Sequence, residues 1–357
     1  MKNIQTESIQ RILLTRIDRI GDVVLTTPAI EAVRQKFPKA HIAMLVAKGN
    51  QRLVQGNPFL NEVLIYDKDK DQRSWWKTLL YGLKLRQHHF DLVVHFHSTN
   101  RMLWVSWLAH IPIRIGWDRR LAWALTHPFV EHKREGKRHE AEYNFELLEP
   151  LEIKILPDLH KHVHLHQSQE DKQSLIAKSP FHGQKPYAAF HVGASCPSRI
   201  WPAENFAKVA SQLHHRHGFN IVLTGGGDCI ASAKKVQSHL DFPCFDLTGK
   251  LSLGETISLL ADAKLMVGND SGPAHMGAAL KCPVMSIFSR NDPGLSPTRW
   301  KPLGPGGFFI RKDVGCEVCL AHDCQIDFFC LTEISPEETY DMIRDKMLSA
   351  QKQPSDS

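Results

Sequence analysis

GNDSGPAHMGAAL, residues 268–280, follows the apolar run KLMV (264–267), which has the composition of a buried strand. From Pro273 to Leu280 its small residues suit a tightly packed helix. A strand that feeds a helix through Gly-Asn-Asp-Ser-Gly-Pro leaves backbone N–H groups at the helix N-terminus, beside the positive end of the dipole. Asp270 and Ser271 add side-chain oxygens there, Gly272-Pro273 shapes the turn, and His275 lies one helical turn beyond Ser271. Such a loop can grip a polyol and a phosphate together. The same residues also make an ordinary helix cap and turn, because Ser and Asp lead the N-cap preferences. The rest of the chain has to decide.

Around this loop, strands and helices alternate. YAAFHV (187–192), NIVLT (220–224), a Cys-Phe-Asp-Leu strand (244–247) and VMSIF (284–288) read as strands, with helices at 203–217, 230–240, 253–263 and 273–280. The N-terminal half repeats the pattern. RILLT (11–15), HIAMLV (41–46), VLIY (63–66), FDLVVHF (90–96) and IPIRIGW (111–117) are strand-like, and helical spacing runs over 23–37 and 74–87. Strands alternating with helices predict parallel sheets with crossover helices on their faces. Residues 157–185, rich in Pro, His, Lys, Ser and Gln, read as a linker region plus the first elements of a second domain. The expectation is two Rossmann-like α/β domains facing each other across a cleft, 1–165 and 166–357, with a terminal helix at about 336–348. Ligands then belong at the C-terminal ends of the strands.

Bulk properties agree with two soluble domains. The chain has 357 residues, 42% hydrophobic and 23% charged, with a formal charge of +6 and 21 His. No dense Lys/Arg stripe interleaved with aromatics marks a nucleic-acid binder, whereas a mild positive charge suits an anionic ligand or membrane surface. MKNIQTESIQR lacks the apolar stretch of a secretory signal, and no run of about 18 apolar residues follows, so a cytosolic chain is expected.

Three loops carry the chemistry. HVGASCPSRIWP (191–202) ends a strand, offers Ser195 and a cation, Arg199, and opens a helix at Trp201-Pro202, an arrangement suited to a diphosphate. The alternative there is a solvated Arg beside a core Trp. RIDRIGD (16–22) turns out of the first strand and presents Asp22, which serves as a general base if a hydroxyl comes within reach, or as a cap of the next helix. TGGGDCI (224–230) has glycines at the first two dinucleotide-fingerprint positions but Ile230 at the third, and no phosphate-binding G-x4-G-K-[ST] loop occurs anywhere.

Together, RIDRIGDVVLTTPAI, GASCPSRIWPAENFA and GNDSGPAHMGAAL resemble glycosyltransferase family 9, the ADP-heptose:lipopolysaccharide heptosyltransferases, from about Arg11 to the terminal helix. The resemblance implies a GT-B fold, with an N-terminal acceptor-binding and a C-terminal nucleotide-sugar-binding domain. It implies that Asp22 is the base and that Arg199, where relatives carry Lys, holds the diphosphate. Ser195, Asp270, Ser271, Gly272 and His275 match the family's donor-binding positions, and Asp228 is the nearest match to an acidic residue that holds the nucleoside. The implied reaction is a single inverting transfer of heptose from ADP-L-glycero-D-manno-heptose to the inner core of lipopolysaccharide, with no metal needed for catalysis. The implied acceptor, a lipid A core at the cytoplasmic face of the inner membrane, would meet basic residues such as Arg119, Arg120, Lys133, Arg134, Lys137 and Arg138.

Of the eight Cys, four form Cys316-x2-Cys319-x4-Cys324-x5-Cys330. In a reducing compartment such a set is a thiolate metal site, structural zinc in this case, or a group of free thiols. A cluster of this kind also occurs in many family members. Two other functions stay open at this point. One is a different GT-B nucleotide-sugar enzyme, with another donor sugar or an epimerase activity. The other is a nucleotide-sugar binding protein without catalysis, against which Asp22 weighs.

Overall fold

The structure, a computed structural model, describes residues 4–67, 74–181, 185–316 and 324–351. The chain divides into two units, Met1–His166 and Gln167–Ser357. In the first, β1 (Arg11–Arg16), α1 (Ile20–Val24), α2 (Thr27–Lys36), β2 (His41–Ala47), β3 (Glu62–Tyr66) and α3 (Trp75–Leu85) are followed by β4 (Leu92–His95), α4 (Asn100–Leu108), β5 (Ile113–Trp117), β6 (His127–Phe129) and α5 (Glu140–Glu146). The sheet order is β3-β2-β1-β4-β5-β6, with every pairing parallel. Burial of β1, β2 and β4 on both faces explains why they read as continuous apolar runs and not as alternating ones.

The second unit opens with α6 (Gln169–Lys178) and continues with β7 (Tyr187–His191), α7 (Ala203–His217), β8 (Asn220–Thr224), α8 (Ile230–Ser238), β9 (Phe245–Asp246) and α9 (Leu253–Asp262). Then follow β10 (Leu265–Asn269), α10 (Gly272–Ala279), β11 (Val284–Phe288), α11 (Pro297–Trp300), β12 (Gly307–Arg311), α12 (Phe329–Thr332) and α13 (Pro336–Gln351). Its sheet order is β12-β11-β10-β7-β8-β9. Each sheet therefore has the Rossmann order 3-2-1-4-5-6, reversing between β1 and β4 in one unit and between β7 and β10 in the other. A core of Phe190, Trp201, Phe206, Leu223 and Val267 fills the second unit between its sheet and helices.

Several expectations need correction. The helix expected over 23–37 is two helices. Thr26 Oγ1 bonds the Asp22 carbonyl at 2.8 Å, Thr27 Oγ1 bonds the Val24 carbonyl at 2.8 Å, and Pro28 in the first turn of α2 has no N–H to continue α1. Within 157–185, the first element of the second unit is the helix α6, in line with the sequence reading; it is capped by Ser168 and tied to α9 by Ser174 Oγ donating to Glu255 at 2.5 Å. β6 and β12 lie at sheet edges, where Pro128 in β6 costs no interior hydrogen bond, so their sequences carry weak strand signals. Among the described residues, no helix is long and apolar enough to cross a membrane.

Candidate active site

At the C-terminal end of β1, Arg16 is buried and gathers carboxylates around it. Its Nε donates to Asp18 at 2.9 Å, and its Nη2 donates to Glu140 at 3.0 Å and to Asp22. Its Nη1 donates to Asn144 Oδ1 at 3.1 Å and to the Phe96 carbonyl at 3.2 Å. Burial lowers the affinity of the Arg16 guanidinium for its proton, but the three carboxylates more than restore it, and it stays charged. Lys133 adds a second cation on Glu140 at 2.7 Å.

Asp22 is the third residue of α1, whose cap position is Arg19, and its carboxylate turns to Arg16 and not to the helix amides. The cap reading of Asp22 is therefore set aside. Burial pushes Asp22 up to about 6, against the pull of Arg16 and with the help of Asp18 and Glu140. That places it near the pH at which a general base works best. His97 Nδ1 stands 3.4 Å from Asp18, and burial, joined by Arg16, lowers this imidazole to about 4. His95 is enclosed between Thr15 Oγ1 (2.9 Å) and Ser106 Oγ (3.0 Å), and burial keeps it neutral.

In the second unit, four loops meet at the C-terminal ends of β8, β7, β10 and β11, on both sides of the point where strand order reverses. Arg199 is not solvated. Its Nη2 pairs with Asp270 Oδ2 at 2.6 Å and also bonds the Asp270 carbonyl, and its Nη1 reaches Ser195 Oγ at 3.4 Å. Burial raises Asp270, while Arg199 and Arg290 oppose it. Ser271 caps α10 without a side-chain bond, and its buried Oγ finds no partner; the same holds for Arg199 Nε and Arg290 Nε. These three polar atoms belong to the loops that follow β7, β10 and β11. His275 is buried within α10, 6.3 Å from the Trp300 ring. Trp201 is a core anchor, as one reading expected, with its backbone N–H on Asn269 Oδ1 and its indole N–H on the Ile334 carbonyl, both at 3.0 Å. Asp228 is exposed in the short turn after β8. There a Cβ on Gly193 would overlap Cys229 Sγ, so the β7 and β8 loops touch only because residue 193 has no side chain.

Arg16, Glu140, Asn144 and Arg290 were not singled out from sequence. Arg290 had a usable signal, since it follows the VMSIF strand at its C-terminal end. Cys316, Cys324 and Cys330 line one pocket beside Arg290, and Cys324 Sγ accepts from the Phe328 N–H at 3.1 Å. Cys319 lies outside the described residues. Among the described residues these thiols do not form a trio with ligand atoms within 4.8 Å of one another, whereas Glu31, His162 and His164 do.

A sequence profile described as "Glycosyltransferase family 9 (heptosyltransferase)" matches residues 80–328. The chain belongs to glycosyltransferase family 9. Its curated relatives include "Lipopolysaccharide heptosyltransferase 3" of Escherichia coli K12, 28% identical over 292 residues, covering 76% of this chain and 80% of that one. Another is "Lipooligosaccharide heptosyltransferase 2" of Haemophilus ducreyi, 23% identical over 313 residues, with 84% and 88% covered. Among solved structures, a family 9 glycosyltransferase from Veillonella parvula superposes with a TM-score of 0.82 at 23% identity, covering 95% of this chain and 98% of that one. E. coli ADP-heptose lps heptosyltransferase II gives 0.79 at 22% identity, with 96% and 100% covered. The fold is GT-B, and family 9 membership makes the chain a glycosyltransferase and removes the epimerase and non-catalytic readings.

Proposed function

We propose that this family 9 enzyme transfers a heptosyl residue from ADP-L-glycero-D-manno-heptose to the inner core of lipopolysaccharide by a single inverting displacement. The observation that carries the chemistry is Asp22, a largely enclosed carboxylate lifted to about 6 just beyond β1. It takes the proton of the acceptor hydroxyl as that oxygen attacks the anomeric carbon. Arg199, with Ser195 and the N-terminal end of α10 at Ser271 and Gly272, receives the diphosphate whose negative charge grows as the glycosidic bond breaks. Asp270 orients Arg199, and His275 and Asp228 complete the donor pocket. Relatives named as lipopolysaccharide heptosyltransferases support the donor and acceptor. No divalent metal enters the reaction. Cys316, Cys319, Cys324 and Cys330 would instead hold a structural zinc, a reading that rests on their spacing in the sequence.

The acceptor is lipid-linked, so the enzyme works peripherally on the cytoplasmic face of the inner membrane. An apolar face of the first unit supports this. α3 buries Thr78, Gly82 and Leu85 and leaves Trp76 (78% exposed), Leu80 (63%) and Leu83 (50%) facing outward at helical spacing. On the adjoining α4, Trp104 and Trp107 form an edge-to-face cluster with Trp123 at 5.5–5.9 Å. Neither helix contains Asp or Glu, Lys77 and Lys84 are exposed, and Arg101 lies over the Trp75 ring at 5.9 Å. Tryptophan, leucine and cations on one face match an anionic lipid surface. Arg119, Arg120, Arg134, Lys137 and Arg138 are also exposed, but Lys133 is buried on Glu140 and leaves the set of basic candidates.

The test is a donor screen with purified enzyme and a lipid A-core acceptor. Acceptor-dependent release of ADP from the ADP-heptose supports the reading. Release of UDP or GDP from other nucleotide sugars, with ADP-heptose inert, overturns it.

A further inference from the structure

Glu31 lies on α2, away from the Arg16 cluster, with only 8% of its surface exposed. No Lys or Arg among the described residues pairs with it. Gln35 Nε2 donates to its Oε1 at 3.1 Å, and its Oε2 faces His162 Nδ1 at 2.9 Å and His164 Nε2 at 2.6 Å. A buried charge without a permanent counter-charge is unusual in a folded core.

The two imidazoles come from one strap, HKHVHLH (160–166), the last stretch of the first unit. Val163 between them is buried, which turns residues 162 and 164 to the same side. The strap is seated firmly. His164 N–H donates to Thr27 Oγ1 at 3.0 Å, the His164 ring meets Phe59 edge-on at 5.1 Å, and His166 fills the space left by the missing side chain of Gly56. The ligand atoms of Glu31, His162 and His164 all lie within 4.8 Å of one another.

We propose that Glu31, His162 and His164 form a site for a zinc-class divalent transition metal that clamps the 162–166 strap to α2. Metal bonds of ~2.0–2.2 Å put tetrahedral ligand atoms roughly 3.3 Å apart, so the trio has to move by less than about 1 Å to admit the ion. Two imidazoles and one carboxylate select zinc and its neighbours over magnesium or calcium, which take oxygen ligands. Both imidazoles are about one-third exposed or less (26% and 31%), which leaves a water-accessible fourth position. The site is independent of the Arg16 cluster, of the Arg199 loop and of the cysteines.

The test uses the full chain stripped with a chelator and titrated with Zn²⁺ alone, alongside Glu31→Gln and His164→Ala. The wild type is expected to bind one more equivalent than either variant, and zinc is expected to raise its Tm but to leave theirs unchanged apart from any contribution of the cysteines. Glu31→Gln keeps the volume of the site and one acceptor oxygen while removing the negative charge, so it reports even if His164→Ala folds poorly. Co²⁺ in place of zinc separates the sources. Nitrogen and oxygen ligation gives a visible d–d spectrum without a near-ultraviolet thiolate charge-transfer band, and that spectrum disappears in Glu31→Gln. Equal zinc uptake by wild type and Glu31→Gln, or uptake whose cobalt spectrum is entirely thiolate in origin, overturns the proposal and leaves the trio as a hydrogen-bonded clasp.

Discussion

Asp22 is held in a state that costs stability at neutral pH. Its folded pKa of about 6 exceeds the ordinary carboxylate value, so the folded state binds the proton more tightly than the unfolded chain does. That stabilisation is complete below about pH 4 and is lost as pH rises through about 6. Asp22→Asn is therefore expected to stabilise the protein relative to wild type above pH 6, with the difference shrinking toward pH 4, as measured by urea denaturation. The same substitution should lower transfer by ~10²–10⁴ while leaving donor affinity nearly unchanged. In the wild type, kcat/KM should fall as pH drops below about 6, and that acid limb should be absent from the residual activity of Asp22→Asn.

Arg199 behaves differently, because its loss also strands Asp270 as a buried and unpaired carboxylate. Arg199→Ala is expected to weaken donor binding, slow transfer and lower stability by ~3–5 kcal/mol. Arg199→Lys should recover most of the stability and much of the activity, although one ammonium cannot span both Asp270 and Ser195 as the guanidinium fork does. Equal loss in both variants, seen in donor titration and calorimetry, would show that the fork itself is required. Asp22, Arg199 and Asp270 were singled out in sequence because each follows closely on the end of a buried strand, in or before the next helix. Arg16, Glu140 and Asn144 were not. Arg16 meets Glu140 and Asn144 across 124 and 128 residues of chain, and no local pattern encodes such a meeting.

At the scale of elements, the central strands and the edge strands β3 and β9 were read, whereas the edge strands β6 and β12 were missed. β1, β2, β7, β8 and β11 are buried runs whose apolar composition marks them, whereas β6 and β12 are half-exposed edges with mixed sequences. The α1–α2 break was missed because helical spacing continues through Thr26 and Thr27, whose hydroxyls bond back to the preceding turn. The contact between the β7 and β8 loops supplies a sharp test. Gly193→Ala is expected to cost ~1–3 kcal/mol by overlap with Cys229 Sγ and to weaken donor binding by shifting the Arg199 loop. Adding Cys229→Ala, which removes that sulfur, should restore part of both losses. A double-mutant cycle with no coupling between the two positions would contradict this packing.

The whole molecule repeats one architecture twice, and its alternation of strands and helices made that repetition legible without any side-chain detail. The surface proposed to meet lipid was less legible. The basic residues expected to form it included Lys133, which is buried, while the apolar face of α3 passes in sequence for a core helix. Replacing Trp76 and Leu80 together by Glu is expected to reduce binding to phosphatidylglycerol-containing vesicles by at least ~10-fold in co-sedimentation, since each large apolar side chain is worth ~1.5–3 kcal/mol on burial. Turnover of a water-soluble acceptor fragment should stay unchanged. Unaltered vesicle binding would remove this face from the account.

The central claim is a single displacement in which Asp22 activates the acceptor and the loops around Arg199 take the leaving diphosphate. The most direct measurement is the anomeric configuration of the transferred sugar, read by NMR from the product formed with ADP-heptose of known configuration. A linkage opposite to that of the donor is the predicted result. A linkage with the donor's configuration retained would contradict the single displacement and Asp22's role as its base.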